Sequence, residues 1–241
     1  MKILQVREMS KDFGGLRAVD SLNIEIEKGE ILGLIGPNGA GKSTAFNCIA
    51  GVFPPSSGEI FLNGEKINGC KPWTMCKKGL ARTFQIVKPF ASKSVLYNVM
   101  VGAFATTDNT AQAEARAMDV LKSLHFDDKK DVRSGNLTIA DRKRLEIARA
   151  LATRPQILLL DEVMAGLRPA EVDEVVAIIK DLRNQGTTIF VIEHIMRAIM
   201  ALSDRIVVIH FGKKISEGTP KDVASDENVI KAYLGDEYAV S

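Results

Sequence analysis

Cysteine is scarce in this chain of 241 residues, and the three that occur are Cys48, Cys70 and Cys76. Their spacing matches neither a metal-binding motif nor an even-numbered disulfide framework. This scarcity argues against a secreted, disulfide-stabilised protein and favours a reducing, cytosolic setting.

Long apolar runs are equally scarce. The most apolar stretch, residues 189–202, is short and is interrupted by Glu193, His194 and Arg197. Residues 1–8 also lack the continuous apolar segment of a signal peptide. We therefore expect neither a membrane-spanning helix nor a signal peptide in this sequence.

Neither sign of charge is in excess. The chain has 32 Lys and Arg against 30 Asp and Glu, a net charge of +2. Dedicated nucleic-acid-binding proteins usually carry a basic surplus or a basic face, so we expect no nucleic-acid partner. The length suits one hydrophobic core, or one core with an inserted subdomain.

One glycine-rich stretch matches G-x-x-x-x-G-K-[ST], the loop whose backbone N–H groups surround nucleotide phosphates. Its residues are Gly36, Pro37, Asn38, Gly39, Ala40, Gly41, Lys42, Ser43 and Thr44. A short apolar run, residues 31–35, precedes it and predicts a buried strand, and residues 43–50 predict a helix ended by Gly51. The order strand, loop, helix is the one that phosphate binding requires. A glycine turn without a ligand is the less favoured alternative.

Polar residues end three later strands. Asp161 and Glu162 follow the apolar run 157–160, Glu193 and His194 follow 187–192, and Gln85 ends a predicted strand at 79–85. Carboxyl ends of parallel strands meet at one edge of a sheet, where ligands bind. Taken singly, these residues could be a solvated strand end, a capped or packed histidine and a surface glutamine. Beside a phosphate loop, we expect four of them to line the same site: Asp161, Glu162, His194 and Gln85.

The remaining pattern predicts an α/β protein. The N-terminal third combines strands at 2–7, 22–26 and 59–62 with a polar turn at 10–15 and a hairpin turn at Asn63-Gly64. Residues 94–124 predict an all-helical insert, with helical spacing in the apolar positions listed here: Ala113, Ala117, Val120, Leu121 and Leu124. Afterwards helices alternate with apolar strands, which predicts a parallel sheet covered on both faces.

The order of these motifs resembles the ATP-binding subunits of ABC transporters over nearly the whole chain. Four stretches and the segment 216–220 are similar to the branched-chain amino acid importer ATPases in particular. The four stretches are 12–19, 81–85, 165–169 and 191–196. The resemblance implies an α/β fold with a P-loop NTPase, RecA-like parallel-sheet core, an N-terminal antiparallel β subdomain and an inserted α-helical subdomain. The core would comprise residues 1–87 and 155–241, and the helical subdomain residues 88–154.

The resemblance also implies roles for single residues. Phe13 would stack on adenine, although it could instead be an ordinary packing residue. Lys42 and the loop amides would bind the phosphates of ATP, and Ser43, Gln85 and Asp161 would hold Mg²⁺ or its water shell. Glu162 would be the general base for water, and His194 would contact the γ-phosphate.

The chain departs from the family at the signature segment, which normally reads Leu-Ser-Gly-Gly-Gln and faces the ATP bound by the opposite subunit. The aligned residues here are Leu137, Thr138, Ile139, Ala140 and Asp141. Both glycines are missing, and Ile139 adds a β-branched side chain where backbone must approach phosphate. We expect the Asp141 carboxylate to weaken that contact, with possible relief from Arg142, Lys143 and Arg144. Alternatively, Ile139 and Ala140 are tolerated because the backbone amides of this segment alone bind the phosphate.

These features lead to a hypothesis about function. The chain is expected to hydrolyse ATP as a peripheral subunit on the cytoplasmic face of the cell membrane, for an importer of branched-chain or related amino acids. ATP would close two ATPase subunits head to tail, with a heterodimer favoured and a homodimer possible. Integral membrane permease subunits and, indirectly, a solute-binding protein would complete the system. The alternative is a soluble ABC-type ATPase with a regulatory or assembly role.

Overall fold

The computed structural model describes residues 1–83 and 88–234. Gln85 lies outside the described residues. The strands are β1 (Lys2–Phe13), β2 (Leu16–Glu27), β3 (Ile31–Ile35), β4 (Ser57–Leu62), β5 (Glu65–Lys66), β6 (Leu80–Arg82), β7 (Ile157–Asp161), β8 (Thr188–Ile192), β9 (Arg205–His210) and β10 (Lys213–Gly218). The helices are α1 (Lys42–Ile49), α2 (Pro72–Lys77), α3 (Val95–Ala103), α4 (Thr110–Ser123), α5 (Ile139–Ala152), α6 (Pro169–Asn184), α7 (Met196–Leu202), α8 (Pro220–Ser225) and α9 (Glu227–Leu234), with short 3₁₀ turns at Asp127–Lys129 and Ser134–Asn136.

Two sheets organise the described chain. A four-stranded sheet has the order β2-β1-β4-β5, and its strands pair antiparallel. A six-stranded sheet has the order β10-β9-β3-β8-β7-β6, in which only β10 pairs antiparallel. The predicted α/β class, with an antiparallel region before a parallel core, is confirmed.

The six-stranded sheet is apolar on both faces. In β3, Ile31 and Ile35 belong to one buried cluster, and Leu32 and Leu34 belong to the other. Side chains alternate between the faces of a strand, so an unbroken apolar run fills both clusters at once. One face is covered by α1 and the four-stranded sheet, and the other by the helices from α3 to α7.

The helical segment follows the predicted spacing. Helices α3, α4 and α5 pack on one another. The apolar positions predicted for the interface of α4 are buried: Ala113, Ala117, Val120, Leu121 and Leu124. Within the described ranges, no helix is both long enough and apolar enough to cross a membrane.

The N-terminal strands differ from the prediction. The expected strand at 2–7 is confirmed, but its end and the start of the polar turn at 10–15 are wrong, because β1 continues to Phe13 and turns only at Gly14-Gly15. A register shift between Val6 and Met9, with Glu8 at a φ of 47°, bends the strand without ending it. Such a bulge interrupts the alternation on which the sequence argument depends. The hairpin turn is confirmed, since Asn63 and Gly64 both have positive φ.

Candidate active site

The glycine-rich loop connects β3 to α1, as predicted. Gly36 and Gly41 have φ of 154° and 104°. A Cβ on Gly36 would lie 2.1 Å from the Ile209 carbonyl oxygen, and one on Gly41 would lie 2.4 Å from that of Ala18. Glycine is required at both positions because the neighbouring strands pass so close to the loop.

The first turn of α1 is suited to an anion. No side chain caps the helix and no acidic residue lies in its first turn. The amide groups at a helix N-terminus have no partner within the helix, and the helix dipole adds partial positive charge there. Together with the loop amides they form a site for phosphate oxygens.

Lys42 is buried at the base of this loop. Its Nζ donates to the carbonyl oxygens of Gly36 and Pro37, at 2.6 and 2.9 Å. Burial lowers the pKa of Lys42, while the carboxylates of Glu162 and Asp161 oppose that shift. The ammonium group therefore lies close to both predicted acidic residues and beside the expected phosphate position.

A cavity of about 340 Å³ opens over the loop. It brings together three parts of the chain: the β1–β2 hairpin, the phosphate loop and the end of β7. Its lining residues are Phe13, Leu16, Ala18, Asn38, Gly39, Ala40, Gly41, Lys42, Ser43, Thr44 and Glu162. An aromatic ring, the glycine-rich loop and a carboxylate therefore share one opening.

The aromatic ring that lines this cavity belongs to Phe13. Its ring is 44% exposed and meets the ring of Phe53 edge-on, with centroids 5.5 Å apart. The ammonium group of Lys11 lies 5.1 Å from the Phe13 centroid. The ring is thus held by its neighbours while part of its surface remains open to a ligand.

Asp161 lies behind Glu162 in a buried ion pair. Its Oδ2 is 2.7 Å from Nη2 of Arg82, and Nη1 of Arg82 also donates to Asn47 at 2.6 Å. Sequence reasoning assigned no role to Arg82 or Asn47, although Arg82 lies within one of the stretches that carry the family resemblance. Only the parallel pairing of β6 with β7 shows that Arg82 reaches Asp161.

Glu162 has an unusual backbone conformation, with φ at 49°. Its N–H donates to the Ile192 carbonyl at 3.0 Å, and its own carbonyl accepts from Lys143 Nζ at 3.0 Å. A non-glycine residue adopts this region at a cost, so the surrounding bonds hold it there. The side chain lines the cavity that contains Lys42 and Ser43.

His194 follows β8 at the same sheet edge as Glu162, because β3, β8 and β7 are parallel neighbours. Its side chain is exposed and does not line the cavity. Glu193, to which the sequence assigned no role, is 1% exposed and accepts from the Met164 N–H at 2.8 Å. Burial raises the pKa of Glu193 to about 7, and the negative charge of Glu162 adds to that shift.

The signature segment begins α5. Thr138 is the N-cap, and its Oγ1 accepts from the Asp141 N–H at 3.1 Å. Ile139 is 63% exposed, whereas Asp141 is 9% exposed. The apolar side chain of Ile139 thus faces solvent, whereas the Asp141 carboxylate is buried.

The charge of Asp141 is balanced by a different residue from those predicted. Asp141 accepts two 2.7 Å bonds from Lys129, a residue outside the motif. The three basic residues expected to help are engaged elsewhere: Arg142 with the Gly135 carbonyl, Lys143 with the Glu162 carbonyl and Arg144 with Glu174. The Asp141 carboxylate is therefore already neutralised within this chain.

Two protein-family models match this chain. The ABC transporter family model matches residues 19–165, and a second model, described as branched-chain amino acid ATP-binding cassette transporter, matches residues 213–239. This chain belongs to the ABC transporter family. It is an ATPase subunit of that family.

Relatives and solved structures match this chain over almost its full length. The chain is 39% identical to the high-affinity branched-chain amino acid transport ATP-binding protein BraF of Pseudomonas aeruginosa, covering 97% of this chain and 98% of that protein. It is 40% identical to the corresponding protein LivG of Escherichia coli, with the same coverage. The crystal structure of an ABC transporter cassette in its ADP conformation has a TM-score of 0.89 at 29% identity, covering 98% of this chain and 100% of that one.

Proposed function

We propose that this chain powers the import of branched-chain or closely related amino acids by hydrolysing ATP. The observation that carries the proposal is the single cavity that contains the phosphate loop, Phe13 and Glu162. The names of BraF and LivG support the solute class. The family match over residues 213–239 supports the same branch.

Each side chain would act on ATP from its present position. Phe13 would stack on the adenine, and the loop amides from Gly36 to Thr44 would bind the phosphates together with Lys42. Glu162 would accept a proton from the attacking water, since a carboxylate at the edge of the cavity can serve as a general base. His194 would reach the γ-phosphate only if nucleotide draws it in from its exposed position.

Mg²⁺ fits the donors present. Among the described residues no three His, Cys, Asp or Glu side chains cluster to hold a metal. This suits Mg²⁺, which usually keeps several waters and is bound by one or two carboxylates together with substrate phosphates. Ser43 in the cavity and Asp161 behind it would supply a hydroxyl and a carboxylate, and Gln85 would add an amide. The ion would neutralise charge on the phosphates.

The partners in this proposal are a second ATPase subunit, integral membrane permeases and, indirectly, a solute-binding protein. A cavity of about 350 Å³ between α2, β6, α3 and α5 is a candidate site for a permease segment. Its apolar residues include Val52, Met75, Leu80 and Val101, and the side chain of Trp73 nearby is 66% exposed. The chain would thereby sit at the cytoplasmic face of the membrane.

A heterodimer is the favoured assembly. The residues proposed to bind this chain's own ATP match the family pattern, whereas its signature segment lacks both glycines. Its own site would therefore hydrolyse ATP against a partner with an intact signature. The experiment is an ATPase assay of the assembled transporter carrying Glu162→Gln in this chain.

We expect turnover to fall at least tenfold, with amino acid uptake lost in vesicles that contain the permeases. Unchanged turnover would contradict the assignment of Glu162. Hydrolysis without any association with membrane subunits in a pull-down would favour the soluble, regulatory alternative.

A further inference from the structure

Lys143 connects the signature helix to the catalytic segment of the same chain. It lies in the second turn of α5, is 7% exposed, and donates from Nζ to the Glu162 carbonyl at 3.0 Å. The same carbonyl accepts from the Ala165 N–H at 3.3 Å. The main chain of the catalytic glutamate is therefore held partly by a side chain from another element.

Glu193, which follows the neighbouring parallel strand β8, holds the residues after Glu162. Its Oε1 accepts from the Met164 N–H at 2.8 Å, and its Oε2 has no hydrogen-bond partner within residues 1–83 and 88–234. Burial lowers the pKa of Lys143, and the Glu193 carboxylate is the strongest of the negative charges opposing that shift. Both groups are buried and ionisable, and their main-chain contacts lie at the two ends of residues 162–164.

Burying two such charges costs several kcal/mol for each ion, and a well-packed apolar pair is often more stable. Stability alone therefore gives no reason for a lysine and a glutamate here. Their contacts give one, because both reach the main chain of a segment whose first residue has a strained φ of 49°. Such strain persists only where the surroundings enforce it.

We propose that Lys143 and Glu193 are positioning residues for ATP hydrolysis, which fix the main chain of residues 162–164 so that the Glu162 carboxyl group faces the cavity. The proposal rests on the assigned role of Glu162 as general base. It has a consequence for the coupling of two subunits, since α5 starts with the segment that the proposed assembly places against the partner's nucleotide. Displacement of α5 on dimer closure is transmitted by Lys143 to the catalytic glutamate of this chain.

The test begins with hydrogen exchange on the nucleotide-free chain. Lys143→Met should speed amide exchange in peptides covering residues 162–168 at least tenfold, with peptides from β3 unchanged. Lys143→Arg keeps the charge and the donor and should restore most of the protection. Lys122→Met, at an exposed lysine of α4, is the matched control. If Lys143→Met does not fold, Lys143→Gln replaces it.

The second readout is the kinetics of the assembled ATPase. Lys143→Met should lower kcat at least tenfold and change KM for ATP less than twofold, with recovery in Lys143→Arg. Wild-type exchange in Lys143→Met, or an equal loss of kcat in Lys143→Arg, would overturn the inference. A wild-type assembly without ATPase activity would instead refute the proposed function, and the exchange result would still decide the role of Lys143.

Discussion

Lys129 binds Asp141 through both carboxylate oxygens, each 2.7 Å from its Nζ. The pair joins a 3₁₀ turn to the first turn of the signature helix. Thr138 donates its hydroxyl to the same carboxylate at 2.9 Å. The acidic residue that replaces the family's glutamine thus serves as part of the helix cap.

Removing Lys129 should destabilise the chain, because Asp141 would remain buried without its cation. We expect Lys129→Met to lower the free energy of unfolding by about 1–3 kcal/mol, the usual cost of leaving a buried polar group unsatisfied. Adding Asp141→Asn should recover part of that loss. Urea denaturation measures both, with the exposed Lys130→Met as control. Equal effects of Lys129→Met and Lys130→Met would contradict the pairing.

The ion pair of Arg82 and Asp161 offers a comparison of buried with exposed charges. The Arg82 and Asp161 side chains are 10% and 5% exposed, whereas those of Arg197 and Asp173 are 60% and 62% exposed. Breaking a buried pair from one side costs about 3–5 kcal/mol, and an exposed pair contributes about 0–1 kcal/mol. We therefore expect Arg82→Met to lower unfolding stability several times more than Arg197→Met. Similar losses in calorimetry would show that the buried Arg82 pair contributes no more to stability than the exposed Arg197 pair.

Glu193 should make stability depend on pH between about 4.5 and 7, its ordinary and folded-state pKa values. The folded chain keeps the proton in this window and the unfolded chain releases it, so stability falls as pH rises. The charged groups acting on Glu193 are Lys143 of α5 and Glu162 of the β7 end.

The matched variant for this pH dependence is Glu193→Gln, which removes the titration. In urea denaturation of the nucleotide-free chain, its stability relative to wild type should rise between pH 5 and pH 8. The gain should be at most about 1.4 kcal/mol per pH unit. Glu174→Gln, at an exposed carboxylate, should show no such trend. A constant difference across this range would rule out a raised pKa.

Substitution of Phe13 distinguishes stacking of its ring on adenine from packing within the protein. Stacking of a base on an aromatic side chain is worth about 1–3 kcal/mol, so Phe13→Ala should weaken ATP binding roughly 5- to 150-fold. Calorimetric titration of the isolated chain measures this, with Phe104→Ala as a control of similar exposure, 42% against 44%. Unchanged affinity together with lower stability would make Phe13 a packing residue beside Phe53.

Much of this architecture could be predicted because local chemistry determines it. The phosphate loop needs glycine where strands approach, and the spacing of Ala113 and Ala117 already indicates the buried face of α4. The partners of Asp161, Asp141 and Glu162 could not be predicted in the same way. Arg82, Lys129 and Lys143 reach these residues only after distant segments pack, at separations of 79, 12 and 19 residues. Their sequence context contains no pattern that specifies a partner.

The signature segment leads to the prediction that this chain does not pair with itself. Ile139 projects from the first position of α5, where in the proposed dimer the partner's phosphates would approach the backbone closely. Glu162→Gln should bind ATP without hydrolysing it and should stay monomeric in light-scattering measurements. Restoring both glycines in that background, with Ile139→Gly and Ala140→Gly, should produce an ATP-dependent dimer.

The control for this experiment is Ala140→Gly alone, which leaves the isoleucine in place and should remain monomeric. Dimerisation of Glu162→Gln with its native signature would show that the backbone amides suffice, and the argument for a heterodimer would lose its basis. Persistent monomer in the glycine-restored variant would place the obstacle elsewhere than Ile139. Dimerisation only after both glycines return would assign the defect to the missing close approach, because Lys129 neutralises Asp141 in every one of these variants.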